Sequence, residues 1–466
     1  MLNKNIIEET INTALNKGGD FAEVFVEEKM SNSINLVNGK IDSANSGIDY
    51  GIGIRVIKET NEIYVYTNDD SRENLLKLAK KAAGMLEKTK MQNVSLKYED
   101  YKNSHPIMVY PNEISQPEKV GLIKSAYSAA KNYDDLITQV VVGLSDYTQK
   151  IQIANSQGVF VEDERTRVRM GIQAVATLKG EKQTGYHGPG GHMGFEFFDQ
   201  IDVEEKARDA ARMAVTMIKA GHAPQGKMPV IIDNKFGGVI FHEACGHGLE
   251  ATSVAKNNSV FADKIGEKIA SEKVTAIDDG TVPNAWGSQN FDDEGHRTQR
   301  NVLIKNGVLK GYMVDFLNGR RLDMKSTGSG RRQSYRFAPT SRMTNTFIDN
   351  GDLSREEIIS NTEYGLYAKH MGGGSVNPAT GEFNFNVREG YIVENGEIKK
   401  PVRGATLIGK GADILKKIDL VGNNLDLAEG MCGSISGSVP AGVGQPTIRV
   451  SELTVGGRGG SQNGNK

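Results

Sequence analysis

Glycine is spread unevenly along this chain, and that asymmetry constrains the fold more than any other feature. Of 54 glycines in 466 residues, 18 precede residue 225 and 36 follow it. Glycine weakens helix interiors by about 1 kcal/mol relative to alanine, and it supplies turns, bulges and close backbone contacts. The second half is therefore expected to consist of short strands and turns. From about residue 300 onward, β-like runs alternate with Asn-Gly turns at 306–307, 350–351 and 395–396.

The first half reads differently. Ile6, Ile7, Ile11, Ala14 and Leu15 share one helical face, and Gly18-Gly19 ends that helix. Further helices are expected over 72–88, 118–132 and 203–220. Extended runs lie at 21–28, 33–41, 50–57 and 62–67, with a hairpin signal at Asn38-Gly39, and again near 136–144, 147–154, 158–163 and 166–178. Pro106, Pro111 and Pro117 mark a polar linker over 93–116. The expected fold class is α+β. Residues 1–224 form an N-terminal α/β domain of strand meanders and helices, with subregions at about 1–92 and 117–221. Residues 225–457 form a β-rich C-terminal domain of mainly antiparallel sheet. It carries one helix that starts near Asn234. The tail 458–466 is expected to be disordered.

Composition bounds what such a chain does. Hydrophobic residues at 38% and charged residues at 24% suit a soluble globular protein and exclude collagen-like, disordered and membrane classes. Lys plus Arg (56) nearly balances Asp plus Glu (58), so nucleic acid is not an expected partner. No apolar run approaches the ~18–20 residues of a membrane span, and the opening MLNKNIIEET has no signal-peptide pattern. Only Cys245 and Cys432 are present, which excludes a disulfide framework and fits a reducing cytoplasm.

The sharpest motif is FHEACGHGLE, residues 241–250, which places His242, Glu243 and His247 in one segment. Imidazoles ligate zinc, and an adjacent carboxylate can take a proton from a water that the metal activates. The usual His-Glu-x-x-His pattern puts both rings on one helix face, about 40° apart. Here the spacing is i, i+5, which in an ideal helix leaves about 140° between them. A metal therefore demands a broken or tightened turn, and Gly246 is where one is expected. Two histidines underligate a catalytic metal, so a third ligand is sought among His296, His370 and Cys432. Cys245 reads as a small packing residue. Arg331, Arg332, Arg336 and Arg342 in GSGRRQSYRFAPTSRMTNT either clamp a substrate carboxylate or form surface ion pairs. The glycine-rich loop 185–194, with His187 and His192, is either a second metal site or a mobile loop. MGGGS (371–375) lacks the ending of a phosphate loop.

Taken together, HEACGHGLEA, DDEG (292–295), GRRQSYRFAPTSRMTNT, VRGATLIG (402–409) and MCGSISGSVPAGVGQPT (431–447) resemble the TldD/PmbA family of metallopeptidases, most closely its TldD branch. The resemblance covers essentially the whole chain. It implies a zinc ion on His242, His247 and Cys432, with Glu243 as the catalytic base. It also implies peptide or unfolded-protein substrates, including leader-bearing peptides, and a homodimer or a heterodimer with a PmbA/TldE-like subunit. The alternative is a non-catalytic regulatory subunit with a structural metal. Substrate-binding residues are not assigned. The stretch GSISGSVP departs from the lysine and glutamine expected nearby in relatives.

Overall fold

The computed structural model describes residues 1–85, 94–377 and 380–458. It is α+β, with 8-, 8- and 6-stranded sheets and a two-stranded ribbon among the described residues. The expected disordered tail lies, from residue 459, outside them, as do residues 86–88 of the second expected helix, which runs Arg72–Gly84.

The first sheet has the order 61–67, 40–58, 21–37, 137–155, 159–178, 97–98, with 181–187 and 190–191 also on strand 159–178. Its strands come from both expected N-terminal subregions, because Phe21–Val37 pairs antiparallel with Ile137–Asn155. Where four shorter strands were expected between 136 and 178, there are two, Ile137–Asn155 and Val159–Leu178. The polar stretches that looked like breaks stay in register, with Tyr147 opposite Arg167 and Lys150 opposite Glu164. Helices Lys4–Leu15 and Arg72–Gly84 cover Val24, Val26, Ile52, Ile54 and Val56 at one end. At the other end, Gln116–Lys131 and Val203–Lys219 cover Leu36, Val142 and Ile172. The Ser115–Glu118 capping box and the Asp202 cap start these last two helices.

In the second sheet, strands 364–377, 226–232, 448–456, 406–410 and 382–394 close into a barrel, because the first also pairs with the last. The third sheet has the order 308–309, 300–305, 276–279, 345–348, 437–445, 426–434. Both are mainly antiparallel, with parallel pairs only at 230–232/366–368, 345–347/442–444 and 402–403/221–222. Helix Val239–Ala244 buries Val239, Ile240, Phe241 and Ala244 in the core they share. The expectation of one helix in this half needs correction. Ala251–Val254, Phe316–Leu322, Arg355–Ser360 and Gly411–Lys417 are helical too. Helices of four to seven residues are too short to show a 3.6-residue hydrophobic period.

The first sheet's other face lies on the C-terminal half, with Phe25, Ile151 and Ile153 against Phe291 and Tyr335. Beside this contact the ring of His105 stacks on that of His192 with centroids 4.7 Å apart. His105 Nδ1 accepts from the Asn284 N–H (3.1 Å), and His192 Nδ1 lies 3.0 Å from the Ser288 carbonyl. Burial, and then Arg167, push His105 down to about 4. A neutral folded-state histidine contributes stability that is complete above pH 6.5 and is lost as pH falls toward 4. The stability difference between the wild-type protein and His105→Asn should therefore shrink by about 2 kcal/mol from pH 7 to pH 5. Denaturant unfolding at both pH values measures it, and a pH-independent difference would contradict the assignment.

Candidate metal centre

Helix Val239–Ala244 starts flush against strand Gly437–Gln445. A side chain at Gly238 would sit 2.4 Å from the Gly444 carbonyl oxygen, so only glycine permits this approach. The helix ends at Cys245 (φ −130°, ψ −44°), and a 3-10 turn, Gly246–Leu249, follows. A Cβ at Gly246 would meet Met343 Sδ at 2.4 Å, so the turn is packed in place. This break is the irregularity that the i, i+5 spacing demands. It brings the His242 and His247 rings to a centroid distance of 5.3 Å, 82° apart.

Cys432 completes the group from strand Asp426–Ser434, opposite Val439 of the neighbouring strand. Its Sγ lies 3.3 Å from His242 Nε2 and 3.5 Å from His247 Nε2. The three ligand atoms all fall within 4.8 Å of one another. Tetrahedral zinc with Zn–S and Zn–N bonds of about 2.3 and 2.0–2.1 Å requires S···N separations of about 3.5 Å. The donor set and its spacing fit that ion.

The donors polarise one another, biasing the Cys432 thiol toward the thiolate that a metal takes and the His247 ring toward a protonated form that a metal must displace. Burial raises the Cys432 thiol, but His242 and then His247 outweigh it and hold the thiol well below its ordinary value. Burial lowers His247, and Glu250 and then Cys432 outweigh that to hold the ring well above its ordinary value. Glu250 Oε2 is 3.1 Å from His247 Nδ1, which presents Nε2 to the site. Arg342 grips the Cys432 hairpin, donating to the carbonyls of Cys432 and Gly437 and to Ser436 Oγ (2.9 Å). Glu243 Oε2 stands 3.7 Å from His247 Nε2 and lines a small cleft with His242, Phe236 and Met431.

The other sequence candidates lie elsewhere. His296 sits near Asp292 and Glu294, whose oxygens are taken by Arg55 and by the backbone N–H groups of Gly330 and Phe316. His370 is edge-on to His187 and 3.6 Å from Glu389. The glycine-rich loop is split between strands, with His187 on Asp209 at 2.7 Å and His192 buried on His105. Among the described residues neither histidine joins a cluster of three metal donors. Cys245 is buried in the core, and burial raises its thiol. Among the arginines, Arg336 pairs with Asp49 at the surface and Arg332 with buried Glu23. The sequence reading gave no role to Glu250 or to Arg342's grip on the hairpin. For Glu250 the i, i+3 spacing from His247 was the available signal.

Two imidazoles and a carboxylate on a broken helix, with a thiol closing the group, form a donor set of the metallohydrolase kind. The chain belongs to the PmbA/TldD metallopeptidase family. Family models match its C-terminal domain over residues 225–457, its central domain over 109–218 and its domain 1 over 22–86. The metalloprotease TldD homolog of Buchnera aphidicola is 35% identical over 452 residues, covering 94% of this chain and 93% of the relative. A metalloprotease of Methanocaldococcus jannaschii is 36% identical over 462 residues, covering 96% and 99%. TldE from Thermococcus kodakarensis shares the fold, with a TM-score of 0.77 and 21% identity over 97% and 99% of the two chains. A Thermotoga maritima structure described as a modulator of a DNA gyrase does too, with a TM-score of 0.79 and 24% identity over 94% and 96%. Among the described residues no helix is long and apolar enough to cross a membrane.

Proposed function

We propose that this chain is a zinc-dependent metallopeptidase that cleaves small, unfolded or leader-bearing proteins and peptides in the cytoplasm. In this reading it works as a homodimer or with a PmbA/TldE-like subunit, His242, His247 and Cys432 hold the zinc, and Glu243 is the general base. The observation that carries it is the convergence of three donors beside a cleft that Glu243 lines. Among the described residues no fourth side chain joins them, which is the donor count of a catalytic site and not of a closed structural one. A zinc ion there would supply an acidified water and a Lewis acid for the scissile carbonyl. Glu243 Oε2 takes the proton of the attacking water and passes it to the leaving amine. Glu250 holds His247 by Nδ1, and Arg342 holds the hairpin that brings Cys432 to the histidines.

Metal content per chain tests the proposal. Protein purified without added metal is expected to carry about one zinc, and Cys432→Ser is expected to lose most of it, because each ligand contributes strongly to affinity. Absence of metal after zinc is resupplied would overturn the reading.

A further inference from the structure

A second cavity, of about 270 Å³, shares Met431 in its lining with the Glu243 cleft. Met431 lines both, and its neighbour Cys432 belongs to the metal group, so the two spaces adjoin the same stretch of strand Asp426–Ser434. That stretch is fixed. Trp286 Nε1 donates to the Gly430 carbonyl (2.7 Å), and Arg169 lies over the Trp286 ring. The mouth is formed by exposed Ser145, Gln333 and Ser438, whereas the floor is buried.

The charge of this cavity is one-sided. Lys29, Arg165, Arg167, Arg169, Arg331 and Arg332 line it, with Asp293 as the only acidic residue. Asp293 is already engaged, accepting from Arg165 (2.6 Å) and from the Arg332 N–H (2.7 Å). Arg332 is paired with Glu23. Four cations remain without an ion pair among the described residues. Arg167 donates to the carbonyls of Trp286 and Ser288, and Arg169 to those of Gly188 and Glu429. Arg331 donates to the Met343 carbonyl, and Lys29 Nζ stands 4.0 Å above the Tyr147 ring. Arg331 is 2% exposed and its Nε has no hydrogen-bond partner, nor does Nε2 of buried Gln289. Buried donors and charges left in this state cost free energy that a bound anion recovers. The field is strong enough that Arg167 and Lys29 together outweigh burial and pull the Tyr147 phenol below its ordinary value.

We propose that this cavity is a subsite that binds a carboxylate of the peptide substrate, with Arg331 at its floor and Lys29 at its rim. The inference rests on the peptidase reading above. A planar guanidinium fork suits a carboxylate, and a cation held without a partner is ready to receive one. The carboxylate is either the peptide's C-terminal group or an acidic side chain. Both present the same chemistry, and the test separates them.

Fluorescent unstructured peptides of one sequence are bound to the zinc-loaded Glu243→Gln full chain, and Kd is read by anisotropy at fixed salt. The set has a free C-terminus without acidic residues, the matching C-terminal amide, and the amide with one internal Glu. The free-acid or the Glu-bearing peptide is expected to bind at least about tenfold more tightly than the neutral amide, and which of the two gains identifies the source. Arg331→Gln should abolish that preference. Lys29→Gln, a rim change that spares the buried floor, should reduce it without lowering the melting temperature. Equal binding of all three peptides, or a preference that survives both substitutions, overturns the subsite and leaves the peptidase reading standing. Binding of none of the three overturns the peptide-substrate reading and the subsite with it.

Discussion

Glu243→Gln is expected to retain about one metal per chain and to lower peptide cleavage by about 10²–10⁴-fold, the usual contribution of a positioned general base. The substitution keeps the side chain's size and one oxygen but removes the ability to accept a proton. Glu243 is not one of the three converging donors, so metal content should be indifferent to it. Its carboxylate stands 3.7 Å from His247 Nε2, on the cleft that His242 also lines. Turnover of an unfolded peptide, read beside metal stoichiometry, separates the two roles. If Glu243→Gln loses metal along with activity, the residue is a ligand. If it cleaves at the wild-type rate, another group is the base.

Much of this site was legible in the sequence because its donors are chemically distinctive. His242, Glu243 and His247 stand within six residues, and the i, i+5 spacing itself called for a broken turn, which lies at Cys245–Gly246. The residue reading alone left His296, His370 and Cys432 open as third ligand, since pairing between distant strands has no local signature. Only the resemblance to a known family favoured Cys432, which the fold brings 3.3 Å from His242. The same limit explains the strands. At Ser145–Tyr147 and Glu164–Thr166, polar residues imitated turns although they pair across two strands of 19 and 20 residues. Asn-Gly at 38–39, 306–307 and 395–396 does turn hairpins, with positive φ at both residues. At 350–351 it does not. There Gly351 donates to the Gly422 carbonyl, and a Cβ would meet the Val421 carbonyl oxygen at 2.4 Å, so a close approach required the glycine.

The largest stability effect is expected at the joint between the first sheet and the C-terminal half. Arg55, from strand Lys40–Lys58, is fully buried. It meets Glu62 at 2.5 Å, Glu294 in direct contact, and Glu23 at 3.7 Å. Glu62 is partly exposed and can hydrate, and Glu23 keeps Arg332. Glu294 has no such outlet. Its other oxygen accepts the Phe316 N–H at 2.7 Å, and its side chain is fully buried. Arg55→Leu therefore strands a carboxylate and should cost about 3–5 kcal/mol in denaturant unfolding. Replacing both partners, Arg55→Leu with Glu294→Leu, removes the stranded charge and should recover most of that loss. A remainder of about 1–3 kcal/mol is expected from the Phe316 N–H left unpaired. A single substitution that costs under about 1 kcal/mol would show that water reaches Glu294. A double substitution no better than the single would place the cost in packing around Arg55. The expected pattern, a large single loss with strong recovery, would make the ion pair a device for docking the two halves in one register. Glu294 follows Asp293, which anchors Arg165 and the Arg332 backbone, so that register also sets the floor of the arginine-lined cavity beside Cys432.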